Sequence, residues 1–162
     1  MATHPNVISS FKPINVNSVI GFNSLDSNTD SITVGNECCN DESFTELDFS
    51  RFTDLTSLTI GDNSFWYVAT MNVIGLQKLE RISIGMNSFI FPQRERDLSF
   101  SVKNCSSLRE LKIGTSSFSS WDKIVIENVP FLEVIEIGFL HYSSENFWLA
   151  SLELKSDYDE VK

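Results

Sequence analysis

Residues 55–65 read LTSLTIGDNSF, and this pattern decides the fold because it recurs at several places in the chain. It is found again as LERISIGMNSF at residues 79–89, LRELKIGTSSF at 108–118 and LEVIEIGFLHY at 132–142, and in degenerate form as TDSITVGNECC at 29–39. The glycines of these five copies are spaced by 26, 24, 29 and 24 residues. Self-similarity at a period of roughly 20–50 residues is typical of repeat architectures, in which each copy supplies one structural unit.

A second apolar motif lies between the copies of the first. It reads LDFSRF from Leu47, MNVIGL from Met71, FSVKNC from Phe100, IVIENV from Ile124 and LELKSD from Leu152. Each occurrence starts with two apolar residues separated by one outward residue, which is the period of a β-strand. No interval holds an amphipathic pattern of the ~8 residues that a helix usually needs. Each repeat is therefore predicted to contain a strand, a turn, a second short strand and a tight return, and the charged segment 92–96 is predicted to be an inserted loop.

The alternation within the first motif predicts which side chains point inward. Leu58 and Ile60 should lie on one face of their strand, with Ser57 and Thr59 on the other. One such strand cannot bury its apolar side alone, so stacking the copies about 4.8 Å apart gives parallel sheets around a shared apolar interior. The aromatic residues four positions after the glycines should then form a column inside the stack: Phe65, Phe89, Phe118 and finally Tyr142.

The recurring glycine does not indicate a phosphate-binding loop. Such a loop needs clustered glycines that lead into a helix, whereas single glycines here are about 25 residues apart. Each is followed by a turn, so we expect a positive φ or a bulge at the end of the strand.

The pattern L-x-x-L-x-I-x-x-N-x-F resembles the leucine-rich repeat family over residues 29 to about 156. The short second strand and the return NCSSL at residues 104–108 are more similar to the BspA-like branch of that family than to its helical branch. The resemblance implies a mainly β fold: a solenoid of about five coils, with two short strands per coil, parallel sheets and little helix. It also implies that Asn63 and Asn87 satisfy buried backbone groups between coils, in a ladder that fades where Ser116 replaces the asparagine.

Three regions follow from this alignment. Residues 1–28 are predicted to be an irregular amino-terminal segment or cap, residues 29–156 the solenoid and residues 157–162 an acidic tail. We expect neither a signal peptide nor a membrane helix, because the start lacks a basic and then continuous apolar run and no apolar stretch approaches ~20 residues. Three cysteines cannot all pair within one chain, so reduced thiols and a cytoplasmic location are predicted.

Charge and composition disfavour several functions. The chain has 22 acidic and 12 basic residues, a net charge of −10, which repels nucleic acid and anionic membranes. It has only two histidines, and no cysteine or histidine pair has the spacing of metal ligands. Cys39 and Cys105 fall at inward positions, whereas Cys38 is predicted to point outward as the more reactive thiol. We therefore predict no enzyme activity, no metal and no cofactor.

The favoured function is a protein-interaction module, as the resemblance implies, whose partner is another protein or peptide. The repeat alignment places Arg81 beside Glu110 and Lys112 beside Glu136 on the outward face of neighbouring strands. These four residues are the predicted contacts, together with two large aromatic residues outside the inward positions, Trp66 and Trp121. Two alternatives stay open: a structural fragment that self-associates through the solenoid ends, and an enzyme that draws residues from several coils.

Overall fold

Two parallel β-sheets and one short helix form the regular structure of the computed structural model, which describes residues 14–92, 97–139, 145–148 and 150–157. In chain order the elements are β1 (Ile14–Val16), α1 (Val19–Asn23), β2 (Ser31–Val34), β3 (Glu46–Asp48), β4 (Ser57–Ile60), β5 (Thr70–Ile74), β6 (Arg81–Ile84), β7 (Ser99–Lys103), β8 (Glu110–Ile113), β9 (Lys123–Glu127), β10 (Val134–Ile137) and β11 (Ser151–Lys155). The first sheet has the order β1-β2-β4-β6-β8-β10 and the second has the order β3-β5-β7-β9-β11. The prediction of a mainly β chain with parallel sheets and little helix is confirmed. Over the described ranges, no helix has the length and apolar character needed to cross a membrane.

The core lies between the two sheets, because alternate residues of each strand point inward. On the first sheet Leu58 pairs with Ile82, and Ile82 pairs with Leu111, and all three are buried. On the second sheet Met71 pairs with Phe100, which is buried as well. Aligned apolar residues on neighbouring strands therefore form continuous rows, as the two-residue period of the sequence predicts.

A column of stacked phenylalanine rings runs through this core. The ring centroids of Phe65 and Phe89 are 5.3 Å apart, and those of Phe89 and Phe118 are 4.6 Å apart with the rings 3° from parallel. The ring of Phe147 stacks next on Phe118 at 5.6 Å. Tyr142, the predicted end of the column, lies outside the described residues. Phe147 is the described ring that continues the column beyond Phe118.

Buried serines connect the copies of the first motif. The Ser88 hydroxyl donates to the Gly61 carbonyl at 2.9 Å and accepts from the Ser64 N–H at 3.1 Å. The Ser117 hydroxyl does the same one copy later, donating to the Gly85 carbonyl at 2.7 Å and accepting from the Ser88 N–H at 3.1 Å. Because all three serines are fully buried, this ladder satisfies backbone groups that water cannot reach.

The expectation that Asn63 and Asn87 carry this ladder is wrong. These asparagines have φ values of 55° and 52°, in the left-handed region that asparagine tolerates better than most residues. That turn directs the following side chain, Ser64 or Ser88, into the interior, and the short hydroxyl reaches the neighbouring backbone. The ladder therefore continues where Ser116, with φ 57°, replaces the asparagine.

Replacing Ser88 with alanine is expected to lower the free energy of unfolding by about 1–3 kcal/mol, because the Ser64 N–H and the Gly61 carbonyl both lose a buried hydrogen-bond partner. Chemical denaturation measures the change. Ser83→Ala is the matched control, since Ser83 lies on the outward face of β6 and its loss should cost less than about 0.5 kcal/mol. Equal effects of the two substitutions would contradict the role of the ladder.

The recurring glycines are required by the close approach of neighbouring backbones. A Cβ atom on Gly61 would lie 2.7 Å from the carbonyl carbon of Gly35, and one on Gly85 would lie 2.6 Å from that of Gly61. On Gly114 it would lie 2.5 Å from that of Gly85. Among the described glycines a positive φ occurs at Gly75 and not at these positions. Of the two expected explanations, a positive φ or a bulge, the positive φ does not occur here, and steric contact between the stacked strand ends requires glycine.

Residues 14–28 belong to the segment 1–28 that was predicted to be irregular or a cap, and they contain β1 and α1; residues 1–13 lie outside the described part. β1 pairs in parallel with β2, and α1 begins after Ser18, whose hydroxyl accepts from the Gly21 N–H at 3.0 Å. The helix buries Phe22, and the Arg51 guanidinium lies over that ring and donates to the Phe22 carbonyl at 2.9 Å. The segment therefore covers the amino-terminal end of the core.

All three cysteines are free and buried, so the expectation that Cys38 points outward is wrong. Cys38 occupies the place of the buried serines: its N–H donates to the Ser64 hydroxyl at 3.1 Å, and its thiol lies 3.6 Å from the Val16 carbonyl. Burial raises the pKa of the Cys38 thiol, which disfavours the reactive thiolate. The interior positions predicted for Cys39 and Cys105 are confirmed.

Two other predicted segments fall partly outside the described residues. In the predicted loop 92–96, Pro92 is exposed and residues 93–96 are not described. In the predicted tail, Asp157 accepts from the Asn128 side chain at 3.0 Å, and residues 158–162 are not described. Both assignments stay predictions.

Candidate functional site

Four charged side chains lie together on the outward face of the first sheet. Arg81 pairs across the strands with Glu110, and Lys112 pairs with Glu136, so the register predicted from the sequence is confirmed. The four residues lie on the adjacent strands β6, β8 and β10, which are about 4.8 Å apart, so they span roughly 10 Å. We call Arg81, Glu110, Lys112 and Glu136 the charged patch.

The ion pairs of the charged patch lie at the protein surface. The Lys112 Nζ lies 2.8 Å from Glu110 Oε1 and 3.7 Å from Glu136 Oε2, and the hydrogen bond with Glu110 raises the pKa of Lys112. Arg81 lies 3.4 Å from Glu80, its neighbour in sequence. These side chains are partly or largely exposed to solvent, where ion pairs contribute little to folding. Their charges are therefore accessible to a partner without loss of the fold.

The remainder of this face, toward the amino terminus, is lined with hydroxyl groups. The outward residues of β2 and β4 are Ser31, Thr33, Ser57 and Thr59, and the Ser31 and Ser57 hydroxyls are 2.9 Å apart. Short polar side chains keep this part of the face flat. The first sheet thus presents one hydroxyl-lined half and one charged half.

A shallow groove of about 190 Å³ runs beside the charged patch. Its walls include Glu80, Arg109 and Glu133, and the Arg109 guanidinium forms an ion pair with Glu133 and lies 5.9 Å from the centre of the Phe131 ring. These three residues are not among the contacts predicted from the sequence. The signal was present, because Glu80, Arg109 and Glu133 each directly follow the first leucine of a copy and must share one position in the stack.

The outward face of the second sheet also carries charges of both signs on neighbouring strands. Lys103 lies 3.0 Å from Glu127, and Glu153 lies 2.8 Å from Lys123 and 2.6 Å from Lys155. Hydrogen bonds from both lysines lower the pKa of Glu153 to about 2. This face also carries exposed Glu46 and Asp48 on β3, so it is the alternative candidate for electrostatic recognition.

The two tryptophans that were predicted to contact a partner lie in different environments. Trp66 is exposed, and its indole N–H donates to the Asn87 carbonyl at 3.3 Å, so the ring is held at the surface. Trp121 is fully buried: its indole N–H donates to the Phe89 carbonyl at 2.8 Å, and its ring packs edge-on against Phe118 at 4.8 Å. The prediction that Trp121 contacts a partner is therefore wrong, because this ring packs against the phenylalanine column.

In the part of the chain that the structure describes, no three histidine, cysteine or acidic side chains come close enough together to hold a metal ion. Comparisons with models of protein families, with curated proteins and with solved structures gave no match.

Proposed function

We propose that this chain is a leucine-rich-repeat-like solenoid of about five coils that acts as a non-catalytic protein-interaction module. The alternation of the chain between two parallel sheets supports this architecture, because one strand of each sheet then belongs to each coil. The rows of aligned apolar residues and the serine ladder are the contacts that successive coils would share. The proposed family is the one that the repeat pattern resembles, in its BspA-like branch.

The observation that carries the functional proposal is the charged patch. Cations and anions alternate there on three adjacent strands, and strands hydrogen-bonded to their neighbours hold them at fixed spacing. A rigid pattern of mixed sign selects a surface with the opposite pattern, which gives specificity and speeds association. A uniform polyanion would be repelled by the net charge of −10. The proposed partner is therefore a protein or peptide, and neither nucleic acid nor a membrane.

The groove, which Arg81 and Glu110 also line, extends this surface, and Trp66 in the turn after β4 is a second proposed contact. An exposed ring held by a hydrogen bond is a suitable interface anchor, since little conformational entropy is lost when a partner covers it. The proposal includes a cytoplasmic location, which the three free thiols fit. It requires no cofactor.

Affinity capture from a lysate of the source organism tests the assignment of the face. We expect the variant Arg81→Ala/Lys112→Ala to retain its partner at least tenfold less well than the unchanged chain, a difference of about 1.4 kcal/mol. Thermal unfolding should be unchanged, because both side chains are exposed.

Lys123→Ala is the matched control for this experiment. Lys123 lies on the outward face of the second sheet, is about as exposed as Lys112 and also pairs with a glutamate. The Lys123→Ala variant should capture the same proteins as the unchanged chain. If the double variant captures them equally well, the first sheet is not the binding face.

A further inference from the structure

The carboxyl-terminal end of the core is open. On β10 the inward residue Ile135 is 43% exposed, although its partner Leu111 is buried. On β11 the inward residues Leu152 and Leu154 are 55% and 61% exposed, although they pair with buried isoleucines of β9. β10 and β11 repeat the inward apolar pattern of the preceding strands, but none of the described strands pairs with the outer edge of either.

A cavity of about 270 Å³ lies between β10 and β11. Nine of the ten residues that line it are apolar, and the tenth is Asn146. Beside it, the last part of the chain exposes two further aromatic rings, Phe139 at 84% and Trp148 at 67%. Exposed apolar side chains next to two strand edges are typical of a place where another chain binds.

The amino-terminal end of the same core is covered. The inward residues Val16 of β1 and Leu47 of β3 are buried, with Ile14 the exception among the described residues. Phe22 of α1 packs edge-on against Phe49 at 5.6 Å and closes this end. The two ends are therefore not complementary, and a head-to-tail filament would have to place an apolar surface on a covered one.

We propose that the carboxyl-terminal end binds the same end of a second copy of this chain, forming a dimer with two-fold symmetry. An interface between identical surfaces closes on itself and leaves no open end. The five exposed side chains Ile135, Phe139, Trp148, Leu152 and Leu154 present roughly 500 Å² of apolar area. A standard interface takes about 800 Å² from each partner, somewhat more than half of it apolar, so the available area is sufficient.

The edge strand β11 is self-complementary in charge. A two-fold axis makes an edge strand antiparallel to its copy, and pairing about Leu154 places Glu153 of each chain opposite Lys155 of the other. Opposite charges in directly facing positions favour that register. On the inward face the same register brings the two Leu154 side chains together over the apolar end.

Sedimentation over a concentration series in the micromolar range tests the dimer. The mean mass of the unchanged chain should rise from 18.3 kDa to twice that value and no further. Leu154→Lys should weaken association at least tenfold, because each dimer would then bury two ammonium groups. Ile20→Lys introduces the same charge at an exposed apolar residue of α1 and should leave association unchanged.

Oxidative cross-linking of Leu154→Cys provides a second measurement that does not depend on loss of association. Two-fold pairing about Leu154 brings the two introduced thiols together, so a covalent dimer should form, whereas Ile20→Cys should give none. A chain that stays at the mass of one copy, or that grows beyond two, overturns the proposal, as does the absence of the cross-link. The charged patch lies on the outward face, so Arg81→Ala/Lys112→Ala should leave the dimer intact and the two proposals can fail separately.

Discussion

Replacing Phe89 with alanine is expected to lower the free energy of unfolding by about 3–5 kcal/mol. Phe89 is fully buried in the middle of the aromatic column, with Phe65 at 5.3 Å on one side and Phe118 at 4.6 Å on the other. Trp121 also packs edge-on against it at 5.8 Å. The strands on both sides are fixed by the backbone pairing, so the neighbouring rings cannot close the resulting cavity.

Chemical denaturation followed by tryptophan fluorescence measures this loss, since Trp121 reports directly on the column. Phe131→Ala is the control, because Phe131 is exposed and its removal leaves no interior cavity. We expect the control to change the free energy of unfolding by less than about 1 kcal/mol. A loss for Phe89→Ala of the same size as the control would show that the column does not hold the core together.

Replacing Gly85 with alanine should cost about 3 kcal/mol or more, at the upper end of what overpacking causes. The new Cβ would lie 2.6 Å from the carbonyl carbon of Gly61 and 2.7 Å from the amide nitrogen of Asp62. These are backbone atoms held by the pairing: the Gly85 N–H donates to the Ile60 carbonyl at 2.8 Å. Relief of the contact requires separating two strands, and that loosens the ladder on both sides.

Gly75→Asn is the matched control for the glycine prediction. A Cβ on Gly75 would meet no atom within 4 Å, and its φ of 75° is close to the 53° and 54° of Asn104 and Asn128 in the equivalent turns. The free energy of unfolding should therefore change by less than about 0.5 kcal/mol. If both substitutions were equally harmful, steric contact between strands would not explain the recurring glycines.

The strands, their parallel order and their register could be predicted from the sequence, because a two-residue alternation of apolar side chains within a fixed repeat leaves one consistent stacking. The pairs formed by Arg81 with Glu110 and by Lys112 with Glu136 follow from that stacking alone. The outward face of the candidate site was predictable for the same reason. Trp66 was also correctly placed at the surface.

Features that depend on the turns could not be predicted in this way. Whether Asn63 or Ser64 carries the ladder depends on the φ of the asparagine, which the order of the residues does not specify. Trp121 follows the column by three residues, and only the path of the turn after Phe118 determines that its ring points inward. The exposure of the carboxyl-terminal end could not be predicted either, because Leu154 has the same inward pattern whether or not another strand covers it.

The spacing of the paired strands also determines how the chain can reach its fold. Neighbouring strands of the first sheet from β2 to β10 come from segments 26, 24, 29 and 24 residues apart. The entropic cost of closing loops of these lengths differs by only about 0.2 kcal/mol, so no single pair of strands is strongly favoured as the starting point of folding. During synthesis β2, β4, β6, β8 and β10 emerge in the order in which they stack, so each strand can join the one before it. The order of the strands in each sheet is then also the order in which they can assemble.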